Sequence, residues 1–262
     1  MLARRQLPRR CAGGALVLLC LAGPAQGQDQ AQGQGQVERL DYGTCMAMAR
    51  GQPENALKLA QNWDAQGGGQ AAQHCAAVAL IALGRHVEAA QRLEALADTM
   101  PASAVAPRAR IFTQAGRAWL LAGEGTKAAR AFSRALSLTP GDVELLIDRS
   151  IASATSGQYW EAIDDLNQAL DLAPGRADVL VLRGSAYRFL EATDLAADDL
   201  ERALALDPDN PDGLLERGIL RRLGGDAAGA RADWTRIIET AGDTPAAQAA
   251  RANLRKLTEG AN

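Results

Sequence analysis

Aromatic residues and histidines are scarce in this chain. Of its 262 residues only 4% are aromatic and two are histidine, and the 28 Lys and Arg residues do not outnumber the 31 Asp and Glu residues. The formal net charge of −3 argues against a nucleic-acid binder that acts by neutralising phosphates. The shortage of aromatic side chains disfavours a β-sandwich, whereas frequent alanine and leucine favour closely packed helices.

Motifs that point to catalysis or to metal binding are equally scarce. The stretch from Gly123 to Lys127 resembles a phosphate-binding loop only superficially, since Lys127 follows threonine and no strand precedes it. His74, Cys75 and His86 lack the close ligand spacing of zinc sites. The sequence has no nucleophile elbow, zinc-protease helix motif or redox pair of cysteines. We therefore predict a protein that is not an enzyme and has no metal and no cofactor.

The N-terminal apolar run is too short for a stable membrane anchor. It extends from Cys11 to Leu21, about half of the roughly 20 residues that span a bilayer. Four arginines precede it, and small residues follow it up to Ala25. This order predicts a secretory signal peptide over residues 1–25, with cleavage after Ala25 or after Gly27.

Two other export signals use the same residues and fit them less well. A twin-arginine signal is disfavoured because Pro8 interrupts the expected apolar pair, and lipid modification of Cys20 is disfavoured because Leu19 stands where a small residue is usual. We expect the mature protein to be exported to the bacterial periplasm.

Signal removal changes the charge and the cysteine content. Because four arginines and no acid precede Asp29, the net charge falls from −3 to −7. Cys45 and Cys75 remain as an even pair in a compartment that favours disulfides. Residues 26–36 are almost entirely Gln, Gly and Ala, which predicts a flexible leader.

A 34-residue period governs the rest of the chain. It aligns prolines, small residues and large apolar residues in register: Pro140, Pro174 and Pro208; Ala128, Ala162, Ala196 and Ala230; Gly116, Ser150, Gly184 and Gly218; Phe132, Leu166, Leu200 and Trp234. Apolar spacings of three and four within each period predict two short amphipathic helices. Small residues fall where the helices cross, and the prolines lie just past the second helix.

Residues 177–210 resemble a tetratricopeptide repeat nearly position for position. The matching residues are Leu180, Gly184, Tyr187, Ala196, Leu200, Ala203 and Pro208. This resemblance implies an all-α, right-handed superhelical solenoid of helix-turn-helix repeats. Departures concern local geometry: Glu191 replaces a turn glycine, Ser153 and Arg221 replace an aromatic residue, and five extra residues lie between Pro101 and Pro140.

The repeats divide the chain into three regions after the leader. Residues 37–108 are predicted to form two degenerate repeats, and residues 109–242 are predicted to form four regular repeats. Residues 243–262 form a capping helix and tail, because Thr244 and Pro245 are typical of a helix start. A polar terminal helix is what a solenoid end requires.

Two charged positions recur sixteen residues apart within a repeat. They are Arg149, Arg183 and Arg217 at one position, and Asp165, Asp199 and Asp233 at the other. The repeat that begins at Ala109 has Ala115 and Ala131 there instead, so both charges are absent together. This covariation predicts structural salt bridges, since a half-buried charge requires a partner.

The resemblance also places two kinds of residue in space. Cys45 and Cys75 fall on first helices of successive repeats, which pack side by side in this architecture, so we expect a disulfide between them. The first helices line a concave groove, and the expected partner-binding residues are Arg117, Ile147, Val181, Ser185, Arg188, Ile219 and Arg222. The arginines would fix an acidic partner and the apolar residues would add contact area.

The predicted function is binding of a peptide or protein partner in this groove. A clamp for a C-terminal carboxylate is disfavoured, because Thr113, Ile147, Val181 and Leu215 occupy one of its positions. The alternative is a structural protein whose repeats stack between chains. An enzyme is the least favoured class, since a repeat groove normally lacks a deep pocket with convergent polar groups.

Overall fold

The computed structural model describes residues 42–259, and those residues form helices and short connections with no strand. The helices are α1 (42–51), α2 (Pro53–Ala65), α3 (Gly69–Ala82), α4 (His86–Thr99), α5 (Val105–Leu121), α6 (Gly125–Leu138), α7 (Val143–Thr155), α8 (Tyr159–Leu172), α9 (Ala177–Phe189), α10 (Thr193–Leu206), α11 (Pro211–Leu223), α12 (Ala227–Thr240) and α13 (Pro245–Glu259). The predicted signal peptide and leader lie outside the described residues.

Each helix packs against its neighbours in the chain, so the described helices form a row of antiparallel pairs that ends in α13. The predicted all-α repeat solenoid is confirmed. Its core includes the periodic residues: Phe132, Leu166, Leu200 and Trp234 on the second helices are buried, as are the alanines one turn before them. Burial at one repeated position in every pair explains the 34-residue period, because each pair completes the core of the next.

Glycine at the crossing position allows the two helices of a pair to approach closely. A Cβ atom at Gly116 would lie 2.6 Å from the Phe132 ring, and one at Gly218 would lie 2.3 Å from the Trp234 ring. Both distances are shorter than van der Waals contact. A large aromatic side chain on the second helix therefore requires glycine on the first.

The turn inside each of the four repeats from α5 to α12 has one residue in the left-handed backbone region. The φ angles are 74° at Gly123, 75° at Gly157, 60° at Glu191 and 86° at Gly225. The amide that follows this residue makes the same hydrogen bond whether the residue is glycine or glutamate. After Gly157, the Gln158 amide donates to the Ser153 carbonyl at 2.9 Å, and after Glu191, the Ala192 amide donates to the Tyr187 carbonyl at 2.9 Å. The substitution at Glu191 therefore leaves the turn unchanged and places a strained side chain in it.

Helix termini explain the remaining irregularities. Helix α5 has 17 residues whereas α7, α9 and α11 have 13, so the extra residues after Pro101 are accommodated partly by extending α5 back to Val105. Helix α13 begins at Pro245, and the Thr244 hydroxyl accepts a hydrogen bond from the Ala247 amide at 3.3 Å. Capping hydroxyl and N-terminal proline together start this last helix.

The repeated Arg and Asp residues form bidentate pairs between the two helices of a repeat. Arg183 donates through Nε and Nη2 to both carboxylate oxygens of Asp199 at 2.7 Å, and through Nη1 to Asn167 of the preceding repeat at 2.7 Å. The hydrogen bond to Asp199 raises the pKa of the Arg183 guanidinium. Each such arginine therefore joins the first helix of its repeat to the second helix of the same repeat. Arg183 also joins its helix to the second helix of the preceding repeat, through Asn167.

The other two pairs have the same geometry. Arg149 Nε lies 2.8 Å from an Asp165 oxygen, and Arg217 Nη2 lies 2.7 Å from an Asp233 oxygen. The three aspartates are buried. In the repeat without charges, Ala115 and Ala131 are buried and leave no polar group to satisfy.

No helix among residues 42–259 combines the length and the apolarity that would let it cross a bilayer.

Candidate functional site

First helices of successive repeats contact one another along the solenoid: α5 contacts α7, α7 contacts α9, α9 contacts α11 and α11 contacts α13. Among the described helices, no pair of second helices is in comparably close contact. The repeats are therefore closer together on the first-helix side, which makes that side the inner face of the curve. We refer to this face, lined by α3, α5, α7, α9 and α11, as the groove.

Two of the three groove arginines already have carboxylate partners on the next first helix. Arg117 Nη2 lies 2.9 Å from Asp148, and Arg188 Nε lies 2.7 Å from Glu216. Arg222 is exposed and has no carboxylate partner among residues 42–259. Neither acid was predicted from the sequence. The separation is 31 residues for Arg117 and Asp148 but 28 residues for Arg188 and Glu216, so the two acids occupy different positions of the repeat and form no periodic pattern.

The predicted apolar contact residues differ in exposure from the expectation. Ile147 and Val181 are only 7% and 5% exposed and belong to the hydrophobic core, so little of either side chain is accessible to a partner. Val181 still forms part of a cavity wall described below, whereas Ser185 and Ile219 are partly exposed. The correction has a simple cause: neighbouring first helices pack closely enough to cover large side chains between them.

An apolar cavity of about 270 Å³ opens between α7, α8 and α9. Its walls include Ile151 from α7, Tyr159 from α8 and Phe189 from α9. The Tyr159 and Phe189 rings are stacked with centroids 4.8 Å apart and planes within 4° of parallel. The Arg188 guanidinium lies over the Phe189 ring, 4.3 Å from its centroid. Stacking from both partners holds Phe189 in place although its side chain is exposed.

The apolar cavity exists because one repeat position has a small residue in α7. That position is Leu120 in α5, Arg188 in α9 and Arg222 in α11, but Ala154 in α7. Ala154 forms part of the cavity wall, so the missing side-chain volume contributes directly to the empty space. This exception to the repeat was visible in the sequence, although its consequence depends on packing.

A second cavity of about 320 Å³ lies on the other side of α9, between α9 and α11. Its lining includes three carboxylates, Asp178, Asp212 and Glu216, and no lysine or arginine. Leu182 and Ser185 line both cavities, so the two are adjacent across α9. We call them the apolar cavity and the acidic cavity.

Electrostatics at the acidic cavity are set by two arginines outside its wall. Arg176 donates two hydrogen bonds to Asp178, at 2.8 and 2.7 Å, and one to Glu144 at 2.6 Å. The hydrogen bonds from Arg176 lower the pKa of Asp178 below its ordinary value. Asp212 is exposed and has no cationic partner within the described part of the chain. The second arginine, Arg188, binds Glu216. The four acids at this site therefore outnumber the two arginines, and the site retains a net negative charge at neutral pH. The acids are Glu144, Asp178, Asp212 and Glu216.

A third cavity of about 370 Å³ lies between α1, α3, α4 and α5. His74 spans it, with Nδ1 2.9 Å from the Tyr42 hydroxyl and Nε2 2.8 Å from the Gln114 amide oxygen. Both ring nitrogens of His74 thus have hydrogen-bond partners. Residues 42–259 contain no group of three or more His, Cys, Asp or Glu side chains placed to hold a metal ion. Beside His74, the Sγ atoms of Cys45 and Cys75 lie within bonding distance, with Cα atoms 6.1 Å apart.

Comparison with known proteins agrees with this architecture. The tetratricopeptide repeat family model matches residues 177–210, which form α9, the turn at Glu191 and α10. No curated protein sequence matches the chain significantly. The fold is that of an all-α repeat solenoid with an open groove.

Several solved structures share this fold. A tetratricopeptide repeat protein from Parabacteroides merdae superimposes with a TM-score of 0.57 and 22% identity, over 70% of this chain and 71% of that one. YrrB, described as a tetratricopeptide repeat protein with an unusual peptide-binding site, has a TM-score of 0.55 and 19% identity, over 72% and 97%. MamA from Desulfovibrio magneticus, residues 41 to the end, has a TM-score of 0.53 and 21% identity, over 74% and 99%. Residues 177–210 thus match the tetratricopeptide repeat family, as their sequence pattern predicted, and the described part of the chain shares the solenoid fold of these structures.

Proposed function

We propose that this protein is a non-catalytic scaffold of the cell envelope that binds a peptide or a protein segment in its groove. The observation that carries this proposal is the pair of adjacent cavities on the inner face, which open between first helices where an extended chain has room to lie. A similar solenoid, YrrB, is described as having a peptide-binding site, which supports binding as the function of this fold class.

The envelope location rests on the N-terminal sequence. The arginines, the apolar run and the small residues that end at Ala25 form a secretory signal, and export provides conditions for a disulfide between Cys45 and Cys75. N-terminal sequencing of protein recovered from the periplasmic fraction tests this directly. A mature chain that begins at Gln26 or Gln28 is expected, and an uncleaved chain in the cytoplasm contradicts the proposal.

The disulfide has its own test. A bond between cysteines 30 residues apart stabilises the fold by about 3 to 4 kcal/mol in the chain-entropy treatment. Purified periplasmic protein, denatured without reductant, is expected to show no free thiol with Ellman's reagent. Two free thiols per mature chain would contradict the disulfide and weaken the case for an oxidising compartment.

A crosslinked pull-down from the envelope fraction tests groove binding. Ser185 lines both cavities, so Ser185→Trp should obstruct the groove, whereas Ser137→Trp places the same bulk on the exposed surface of α6. A partner captured by the wild type and by Ser137→Trp, and lost with Ser185→Trp, supports the proposal. Equal capture by all three baits moves the interface away from the groove. A stoichiometric homo-oligomer in light scattering, without a partner, favours the structural alternative.

A further inference from the structure

The apolar cavity offers a preformed pocket for one large apolar side chain. Its volume of about 270 Å³ accommodates a leucine or phenylalanine side chain, and the stacked Tyr159 and Phe189 rings form a rigid wall. Ile151 and Phe189 are exposed and line the same cavity, so together they present an apolar surface that a partner side chain can cover. A rigid pocket also reduces the ordering cost when a ligand binds.

The neighbouring acidic cavity indicates the charge of the partner. It presents Asp178, Asp212 and Glu216, and Asp212 has no cationic partner among residues 42–259. Two of the three groove arginines, Arg117 and Arg188, are bound to carboxylates, and Arg222, unpaired among residues 42–259, lines neither the apolar nor the acidic cavity. Charge complementarity therefore favours a lysine or arginine at this cavity over an acidic side chain.

The spacing of the cavities sets the spacing of the two side chains. The cavities flank α9, and packed helices are about 8–10 Å apart. An extended chain advances about 3.3 Å per residue. A single peptide thus reaches both cavities with side chains about three residues apart.

We propose that the groove recognises an extended segment in which a large apolar residue, placed in the apolar cavity, lies about three residues from a lysine or arginine, placed in the acidic cavity. This inference rests on the proposed function, because it names the partner chemistry of the same groove. It replaces the acidic partner expected from the groove arginines with a basic one.

Two variants separate the two contacts. Ala154→Leu introduces the residue that the equivalent position of α5 has, and fills the apolar cavity. Its matched control is Ala197→Leu, at a partly exposed position of α10 outside both cavities. Asp212→Lys reverses the free charge of the acidic cavity, and its control is Asp194→Lys, since both acids are exposed and lie in the first turn of their helices.

The assay is selection of a random peptide phage library on the mature protein, followed by fluorescence anisotropy of the enriched synthetic peptides. Enriched peptides should pair a large apolar residue with a Lys or Arg two to four residues away. Ala154→Leu should weaken these peptides about tenfold or more, because a buried apolar side chain loses its site. Asp212→Lys should weaken them about threefold to tenfold, with a smaller effect at high salt. Both controls should bind as the wild type does.

Each other outcome overturns the inference in a distinct way. Enrichment of acidic peptides refutes the proposed partner chemistry and leaves groove binding intact. The same holds if Ser185→Trp abolishes peptide affinity while Ala154→Leu leaves it unchanged. No enrichment above the Ser185→Trp background refutes both proposals. A dimer that dissociates with Ala154→Leu identifies a second copy of the chain as the occupant. Circular dichroism of every variant confirms that loss of binding is not loss of fold.

Discussion

The Arg183 and Asp199 pair allows a stringent test of how charge is accommodated inside the solenoid. The Asp199 side chain is 2% exposed and that of Arg183 is 15% exposed, so both groups have lost most of their hydration. Arg183→Ala leaves a buried carboxylate without its bidentate partner. Removing one member of a buried pair costs about 3–5 kcal/mol. We expect about 3 kcal/mol, because Arg202 Nη1 remains 3.4 Å from Asp199.

The double variant Arg183→Ala/Asp199→Ala should cost much less than the single one. It reproduces the pair Ala115 and Ala131, which is fully buried in the repeat without charges. With no charge left in the interior, the loss reduces to packing and is about 1 kcal/mol. The double variant should therefore be more stable than Arg183→Ala by about 2 kcal/mol.

Urea unfolding of the mature protein, followed by circular dichroism at 222 nm, measures these free energies. The surface pair Arg236 and Asp209 is a control, since both side chains are about half exposed and Arg236→Ala should cost less than about 1 kcal/mol. Equal costs for the single and double variants of the buried pair would refute the argument. Arg183→Ala should also lower the melting temperature while leaving peptide affinity within about twofold, and the reverse would make Arg183 a binding residue.

Two further predictions follow from the described geometry. Glu191→Gly should stabilise the protein by about 0.5–1 kcal/mol, because relief of the left-handed backbone strain exceeds the entropy cost of glycine. Gly157→Ala at the equivalent turn should destabilise the protein by about 1 kcal/mol. Shifts of the opposite sign in thermal melts would contradict this reasoning. In carboxyl-detected NMR, Asp178 should titrate below its ordinary pKa of 3.8, and Arg176→Gln should raise that pKa. Because the folded-state pKa is lowered, the contribution of this contact to stability is present above the ordinary pKa and lost as the pH falls through the lowered one. A titration that Arg176→Gln leaves unchanged would contradict the contact.

The periodic part of the architecture could be predicted from the sequence alone. A residue such as Leu200 recurs every 34 positions because each repeat makes the same contact with its neighbour, and that contact needs the same side-chain size each time. The Arg and Asp positions were predictable for a related reason: their joint absence at Ala115 and Ala131 revealed that they satisfy each other. Patterns of this kind encode local packing, which depends on a few residues of one or two helices.

The groove was less predictable, because its contacts join different positions of different repeats. The Arg117 and Arg188 side chains were expected to be available to a partner, and their pairing with Asp148 and Glu216 depends on how far one first helix is shifted along the next. Ile147 occupies a groove position in the repeat but is covered by packing. The small Ala154 was visible in the sequence, yet a cavity beside it requires the surrounding rings and helices to hold their positions.

The repeat, the helix pairs, the turn positions and the internal ion pairs follow from the amino-acid sequence, because each depends on interactions that recur with the 34-residue period. The exposure of the groove residues, the pairing of their charges and the adjacency of the apolar and acidic cavities follow only from the three-dimensional packing. These properties arise from the relative placement of successive repeats, which no single repeat encodes.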